Sequence, residues 1–167
     1  TAGIAVKFSL TGHLVFSTVH ANDATNTITR LLDIGIQPFL LGSCVNLIVA
    51  QRLIRTICKD CKEEYTPSQT ELDIINYPKD KIKSTTFYQG KGCSKCRYTG
   101  YKGRTAIDEI LEVKQNIRKL IFDNANEETI KTEALANGMT PLREAGIEKI
   151  ENGITTIQEI IRSTVQE

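Results

Sequence analysis

Two pairs of cysteines give the clearest chemical signal in this 167-residue chain. Each pair has two residues between its members, and the four are Cys58, Cys61, Cys93 and Cys96. Zinc binds four thiolates in a tetrahedron, and this spacing lets both sulfurs of a pair turn toward one ion. Paired C-x-x-C motifs without a secretory signal favour a metal over disulfides. We therefore predict one structural Zn2+ ion and no catalytic one, because four thiolates leave no open position for water.

Two other interpretations of the cysteines stay open at this point. Redox-active C-x-x-C motifs would each be expected beside a thioredoxin-like strand and helix, and neither pair is followed by a convincing helix. Unpaired or disulfide-bonded cysteines are the remaining possibility. The fifth cysteine, Cys44, lies in an apolar stretch and is interpreted as a small buried core residue. The charges next to the pairs would favour thiolates: Lys59, Lys62, Lys91, Lys95 and Arg97.

The only two histidines, His13 and His20, bracket a second segment that could do chemistry. The apolar, β-branched run between them, residues 14–19, predicts a short strand buried on both faces. Ligands of open α/β sheets bind at the carboxyl ends of strands, which is where His20 would fall. Asn22 or Asp23 can cap a following helix, so His20 could donate a hydrogen bond to a phosphate there. A purely structural role for both histidines is the alternative.

Apolar spacing predicts the elements that hold these groups. Before Cys58 we expect a helix that ends near Gly12, the strand over 14–19 and a helix that ends at Gly35. A third helix begins at Pro38 and continues through Leu47 and Ile48, and a strand follows over 51–57. This order is typical of half of an α/β sheet. After Cys58 the chain is polar as far as the second cysteine pair, with one short helix over 68–76.

The last third of the chain predicts a strand followed by helices with clear caps. We expect a strand over 106–113 and then four helices. The first helix contains Ile117 and Ile121, the second begins at Asn126, and the third opens at Thr140–Pro141. The fourth begins at a capping box of Thr156 with Glu159 and includes Val165 as an apolar position.

Composition indicates a globular chain without a general affinity for polyanions. Lysine plus arginine (21) nearly balances aspartate plus glutamate (20), for a net charge of +1. This balance gives no reason to expect nucleic-acid or membrane-surface binding. No apolar run approaches the roughly 20 residues that span a bilayer. The chain begins without methionine and already within a helical pattern, so we expect a piece of a longer protein.

The histidine segment, Thr11-Gly12-His13-Leu14-Val15-Phe16-Ser17-Thr18-Val19-His20-Ala21-Asn22-Asp23-Ala24, resembles the histidine box of the secretion ATPase superfamily, which powers type II secretion and type IV pili. The opening Thr1-Ala2 resembles the end of the Glu-Thr-Ala segment after that family's Walker B strand. The resemblance continues through residues 30–41, 50–55, the four cysteines, 99–104 and 153–156. The tetracysteine motif is similar to that of the pilus assembly and type II secretion branch, and retraction motors generally lack it.

The resemblance implies a fold and a function. It implies the C-terminal part of a RecA-like P-loop ATPase domain (1–57), a tetracysteine zinc subdomain (58–104), and a strand with a helical C-terminal bundle (105–167). It also implies a cytoplasmic homo-hexamer at the inner face of the inner membrane, which hydrolyses ATP with Mg2+ and acts on an inner-membrane platform protein. Membrane association would be peripheral, through partners.

The resemblance also suggests roles for individual residues. His20 would sense the γ-phosphate and His13 would link its segment to neighbouring groups. Arg30 or Arg52 would contact nucleotide or the next subunit, and a solvated or structural role is the alternative for each. No G-x-x-x-x-G-K-[ST] motif or Walker B carboxylate is present in the sequence, so we expect the chain alone not to hydrolyse ATP. A zinc-ribbon nucleic-acid-binding module is the alternative function, although no nucleic-acid partner is expected.

Overall fold

A computed structural model describes residues 2–164 of the chain, so Thr1 and Val165, both named above, lie outside it. The described residues form two compact units, one of residues 2–50 with 109–140 and one of residues 51–108 with 141–164. The helices are α1 (Ala2–Leu10), α2 (Ala24–Asp33), α3 (Pro38–Cys44), α4 (Gln69–Ile74), α5 (Gln115–Phe122), α6 (Glu127–Ala136), α7 (Leu142–Glu151) and α8 (Ile157–Thr164). The strands are β1 (Leu47–Ile57), β2 (Lys62–Glu64), β3 (Tyr88–Gly90) and β4 (Tyr101–Glu112).

The first unit is a cluster of helices around one apolar core. On α2, Ile28 and Leu31 are three residues apart, and on α5, Ile117 and Ile121 are four apart, so each pair lies on one helix face. α3 packs against α5, and α2 packs against α6. The core is completed by Ala24, Leu41, Ile48, Leu111, Val113, Ile130, Ala134 and Met139.

The second unit contains the C-terminal part of β1 and the N-terminal part of β4, and these two strands pair with each other. They are antiparallel there, because the Cys58 N–H donates to the Gly100 carbonyl at 2.9 Å while the Gln51 side chain reaches Asp108 farther along. β2 and β3 form a separate antiparallel pair. α7 packs on α8, and α8 contacts α4.

A buried carboxylate fixes α8 to β1 in the second unit. Glu159 is fully buried, and its Oε1 accepts the backbone N–H of Arg55 at 2.9 Å. The Arg55 and Arg162 guanidinium groups each donate to the same carboxylate at 2.6 Å. The Arg55 guanidinium also lies 4.1 Å from the centre of the Tyr101 ring, whose hydroxyl is 2.6 Å from the Thr156 hydroxyl. Three segments of chain, β1, β4 and α8 with its cap, therefore meet at one ionic contact.

Most predicted helix ends are confirmed, since caps depend on local sequence. Asp23 caps α2, Asn126 caps α6, and Ser68 forms a capping box with Glu71 before α4. Of the two hydrogen bonds in the capping box predicted at α8, only one forms. The Thr156 hydroxyl accepts the Glu159 N–H at 3.1 Å, but the Glu159 carboxylate turns to the two arginines instead.

The predicted strand over residues 14–19 is wrong. Residues 13–21 form neither helix nor strand, and the side chains of Leu14 and Phe16 are 82% and 87% exposed. A buried strand needs neighbouring strands for its backbone groups, and the sheets of residues 2–164 are β1 with β4 and β2 with β3. His20 consequently does not follow a strand here.

The helix from Pro38 is shorter than predicted and β1 is longer. The helix ends at Cys44, and Leu47 and Ile48 already belong to the strand. Ile48 points into the core while Leu47 and Val49 are exposed, which is the period of two expected of a strand. The protein is therefore mixed α/β, as predicted, with small two-stranded sheets in its described part. The division into 1–57, 58–104 and 105–167 stays a prediction.

The Glu159 contact predicts a pH-dependent stability. Burial alone raises the pKa of this carboxyl, but hydrogen bonds from Arg162 and Arg55 outweigh it and lower the pKa to about 2. A lowered pKa stabilises the fold above the unfolded value near 4.5, and this stabilisation is lost as the pH falls from there toward 2. It amounts to at most about 3 kcal/mol, because both arginines are partly exposed to solvent.

We therefore expect Glu159→Gln to lower the free energy of unfolding at pH 7, measured with urea, and the deficit to shrink between pH 4.5 and 2. Glu148→Gln, at an exposed position of α7, is the matched control and should be neutral at both ends of this range. A deficit of equal size at pH 6 and pH 3 would show that the ion pair is not its source.

Candidate metal centre and histidine segment

The four cysteines come from the ends of short elements. Cys58 follows β1, Cys61 precedes β2, Cys93 follows β3, and Cys96 ends a single 3-10 turn. Pairing of β2 with β3 sets Lys62 opposite Gly90, which brings the two cysteine pairs together.

The sulfur atoms are arranged as one metal site requires. All four lie within 4.8 Å of one another. The Cys58–Cys93 sulfurs are 4.0 Å apart, and those of Cys61–Cys96 and Cys93–Cys96 are 3.8 Å apart. A tetrahedral site with metal–sulfur bonds of about 2.3 Å has sulfurs about 3.8 Å apart. The donor set and its spacing therefore fit a tetrathiolate metal ion.

Backbone donors lower the pKa of one thiol of this cluster. The N–H groups of Cys93 and Gly100 point at the Cys96 sulfur from 3.2 and 3.3 Å, and they lower the pKa of Cys96 to about 6. Burial and the neighbouring cysteines raise the pKa of Cys61 to about 12. Four thiolates at such short distances repel one another, and a cation at their centre removes that repulsion.

The lysines beside the cysteines share their charge with carboxylates. The Lys95 ammonium is 2.5 Å from Asp60, and that of Lys91 is 3.9 Å from Glu63. The predicted electropositive surroundings are therefore partly neutralised at these two positions.

Gly90 and Gly100, which flank the Cys93–Cys96 pair, have their backbones in close contact. A Cβ added to Gly90 would lie 2.1 Å from the Gly100 carbonyl oxygen, closer than any real side chain approaches. Gly100 also has a φ of +78°, which side chains disfavour. The sequence alone does not reveal this requirement, because the contact joins residues ten positions apart.

The histidines lie in the first unit, and both are exposed. His13 Nδ1 is 3.0 Å from the Thr11 hydroxyl, and its ring meets the Phe8 ring edge-on at 5.7 Å. Within residues 2–164, the His20 imidazole makes no hydrogen bond or ion pair. The structure therefore does not bring the two histidines into one pocket.

The predicted arginines are exposed as well. Arg30 lies on α2, and Arg52 lies on the part of β1 that belongs to the second unit. Their contacts with nucleotide or with the next subunit stay a prediction.

The helix that follows His20 is anchored by a residue that sequence reasoning missed. Glu109 of β4 is 2% exposed, and its Oε1 accepts the Ala24 N–H at 2.7 Å. The alternation of buried residues along β4 could have revealed it. Ile107 and Leu111 lie two residues before and after Glu109, so all three lie on the same buried face of the strand. A carboxylate on such a face requires a donor, and the start of α2 supplies it.

Comparison with known proteins places the chain in a family. The model of the type II/IV secretion system protein family matches residues 1–162. The chain belongs to this family. It is 43% identical over 166 residues to the type IV pilus assembly ATPase PilB of Myxococcus xanthus, with 98% of the chain and 29% of that protein aligned. It is 42% identical over 165 residues to the type II secretion system ATPase E of Vibrio cholerae, with 98% of the chain and 32% of that protein aligned.

These matches confirm the resemblance found in the motifs and show its extent. The chain spans about a third or less of the length of the curated relatives it matches; for PilB of Thermus thermophilus, 41% identical, the share is 19%. No helix within residues 2–164 is both long and apolar enough to cross a membrane.

The cysteine geometry predicts one bound metal ion per chain. We expect Cys93→Ser to reduce the metal content of the purified protein from about one ion per chain to near zero, because it removes one of four thiolates. Cys44→Ser is the matched control: Cys44 lies on α3 in the other unit and should not alter the metal content. Elemental analysis measures both. Full metal content in Cys93→Ser would contradict a four-cysteine site.

The close glycine contact predicts a second effect on the metal. Gly90→Ala should weaken metal affinity about 10- to 100-fold, because the methyl group displaces Gly100, whose N–H supports the Cys96 sulfur. Competition with a chromophoric chelator measures it. Gly3→Ala, with nothing within 4 Å of the added carbon, is the control and should bind metal normally. Equal affinity of both variants would contradict the inferred role of the contact.

Proposed function

We propose that this chain is the C-terminal part of a hexameric motor ATPase that powers type IV pilus assembly or type II protein secretion. The observation that supports it most is the 43% and 42% identity, over nearly the whole chain, to proteins named for these two activities. The chain covers only 29% and 32% of the length of those relatives. This supports the idea that the phosphate-cradling loop and the Walker B carboxylate lie in an upstream segment of a RecA-like domain. The chain alone then does not hydrolyse ATP.

The histidine segment supplies the part of the nucleotide site that lies in this chain. In the full protein, which binds ATP and Mg2+, the His20 imidazole donates a hydrogen bond to the γ-phosphate. Its exposure and its place four residues before the first N–H of α2 support this role. His13 holds the other end of the segment through its Thr11 contact. Arg30 and Arg52, both exposed, contact nucleotide or the adjacent subunit.

The four cysteines hold a structural zinc ion. Their tetrahedral sulfur spacing and the C-x-x-C pairs support zinc, which forms closed tetrathiolate sites without redox chemistry. The ion fixes β2, β3 and the start of β4 into a rigid projection. This projection docks the inner-membrane platform protein or steadies the neighbouring subunit of the hexamer, at the cytoplasmic face of the inner membrane.

The catalytic role of His20 is tested in the full-length protein. We expect His20→Ala to lower ATP turnover at least tenfold, because a hydrogen bond made to developing phosphate charge is lost. Pilus extension or secretion should fall in parallel. Lys114→Ala, an exposed substitution remote in sequence from the segment, is the control and should retain turnover.

Two results would contradict the proposal. Wild-type turnover in His20→Ala would remove the phosphate-sensing role. Absence of ATPase activity in the full-length wild-type protein, together with salt-dependent DNA binding by the chain, would favour the zinc-ribbon nucleic-acid alternative.

A further inference from the structure

The N-terminus of α2 is held from both sides by buried carboxylates. The first N–H groups of a helix have no partner within the helix. Here the Ala24 N–H donates to Glu109 at 2.7 Å, and the Asn26 N–H donates to Asp23 Oδ1 at 2.7 Å. Asp23 and Glu109 are only 6% and 2% exposed, so both acceptors act away from solvent.

α6 supports the same helix end with side chains of its own. The Lys131 ammonium lies 3.7 Å from Asp23, and the Asn26 side chain donates to Glu127 at 3.2 Å. Asp23 therefore connects the helix start to α6, whereas Glu109 connects it to β4. The Glu109 bond joins residues 85 positions apart, so it is a tertiary contact and not a local cap.

This anchor lies close along the chain to His20. The four peptide steps from His20 to Ala24 span at most about 14 Å. Residues 13–21 have neither helix nor strand to fix them, and the His20 side chain has no partner within residues 2–164. Whatever fixes Ala24 and Asp23 therefore limits where the His20 imidazole can lie.

We propose that Glu109 is a positioning residue for the histidine segment, acting through its hydrogen bond to the Ala24 N–H. An effect of Glu109 on catalysis rests on the proposed function of His20. Its effect on the position of the histidine segment does not depend on that function. Glu109 is buried, so it would act through the helix start and not by contact with a ligand. It sets the start of α2, and with it the end of the segment from which His20 projects.

The structural part is tested in the chain itself by amide hydrogen exchange and NMR. Glu109→Leu replaces the carboxylate with an apolar side chain and removes the acceptor, whereas Glu109→Gln keeps an oxygen for the Ala24 N–H. We expect exchange of the Ala24 amide to be at least about tenfold faster in Glu109→Leu and near wild type in Glu109→Gln. The His20 resonances should move with it, and those of His13 should not.

The matched control is Glu112→Leu, at an exposed position of the same strand, which should leave the Ala24 amide unchanged. Equal exchange in Glu109→Leu and Glu109→Gln would overturn the proposal, as would an unmoved His20 signal. If Glu109→Leu does not fold, Glu109→Asn replaces it. The asparagine oxygen is set back by one carbon, so faster exchange in Glu109→Asn than in Glu109→Gln supports the proposal, and equal exchange overturns it.

The catalytic part is tested by ATP turnover of the full-length protein. Glu109→Leu should lower kcat with a smaller change in KM, and Glu109→Gln should restore most of it. Combining Glu109→Leu with His20→Ala should give the turnover of His20→Ala alone, because both changes act on one group. Multiplied losses would overturn the positioning role. If His20→Ala alone has no effect, the proposed function fails, while the exchange data still decide the role of Glu109.

Discussion

The convergence of four cysteine sulfurs within 4.8 Å is the constraint on which the second unit depends. It brings together the end of β1, the residue before β2, the segment after β3 and the turn before β4. Four thiolates so close together would repel one another, so the arrangement suits a cation that is supported by backbone donors. The Gly90–Gly100 contact follows from it, because the Gly100 N–H must approach the Cys96 sulfur. A polar stretch with few apolar residues thereby acquires a fixed shape.

The clustering of the four cysteines was predictable from sequence because its information is local. Two residues between the members of each pair determine how their sulfurs can turn, and that spacing is visible without any knowledge of the fold. Helix caps were predictable for the same reason, as Asp23, Ser68 and Asn126 each act on an N–H three residues away. The requirement for glycine at position 90 was not, since it arises only when a second backbone lies against it.

The histidine segment shows where local pattern fails. Its apolar, β-branched run has strong strand propensity, yet a strand forms only where a neighbour accepts its backbone groups. Within residues 2–164 no strand lies beside it, and Leu14 and Phe16 stay exposed. The family identity came from the order of residues in this segment, which did not depend on its secondary structure. The same residues therefore mark the family correctly while forming no strand.

Each unit uses one buried carboxylate to join segments far apart in the chain. Glu109 binds the N–H of Ala24, and Glu159 binds the N–H and guanidinium of Arg55, across 85 and 104 positions. An apolar side chain could fill either place, but it would leave a buried N–H unpaired at a cost of about 1–3 kcal/mol. A carboxylate also disfavours every alternative packing in which it finds no donor. These two residues therefore both stabilise the fold and specify which segments pair, and a pattern of apolar spacing could not reveal them.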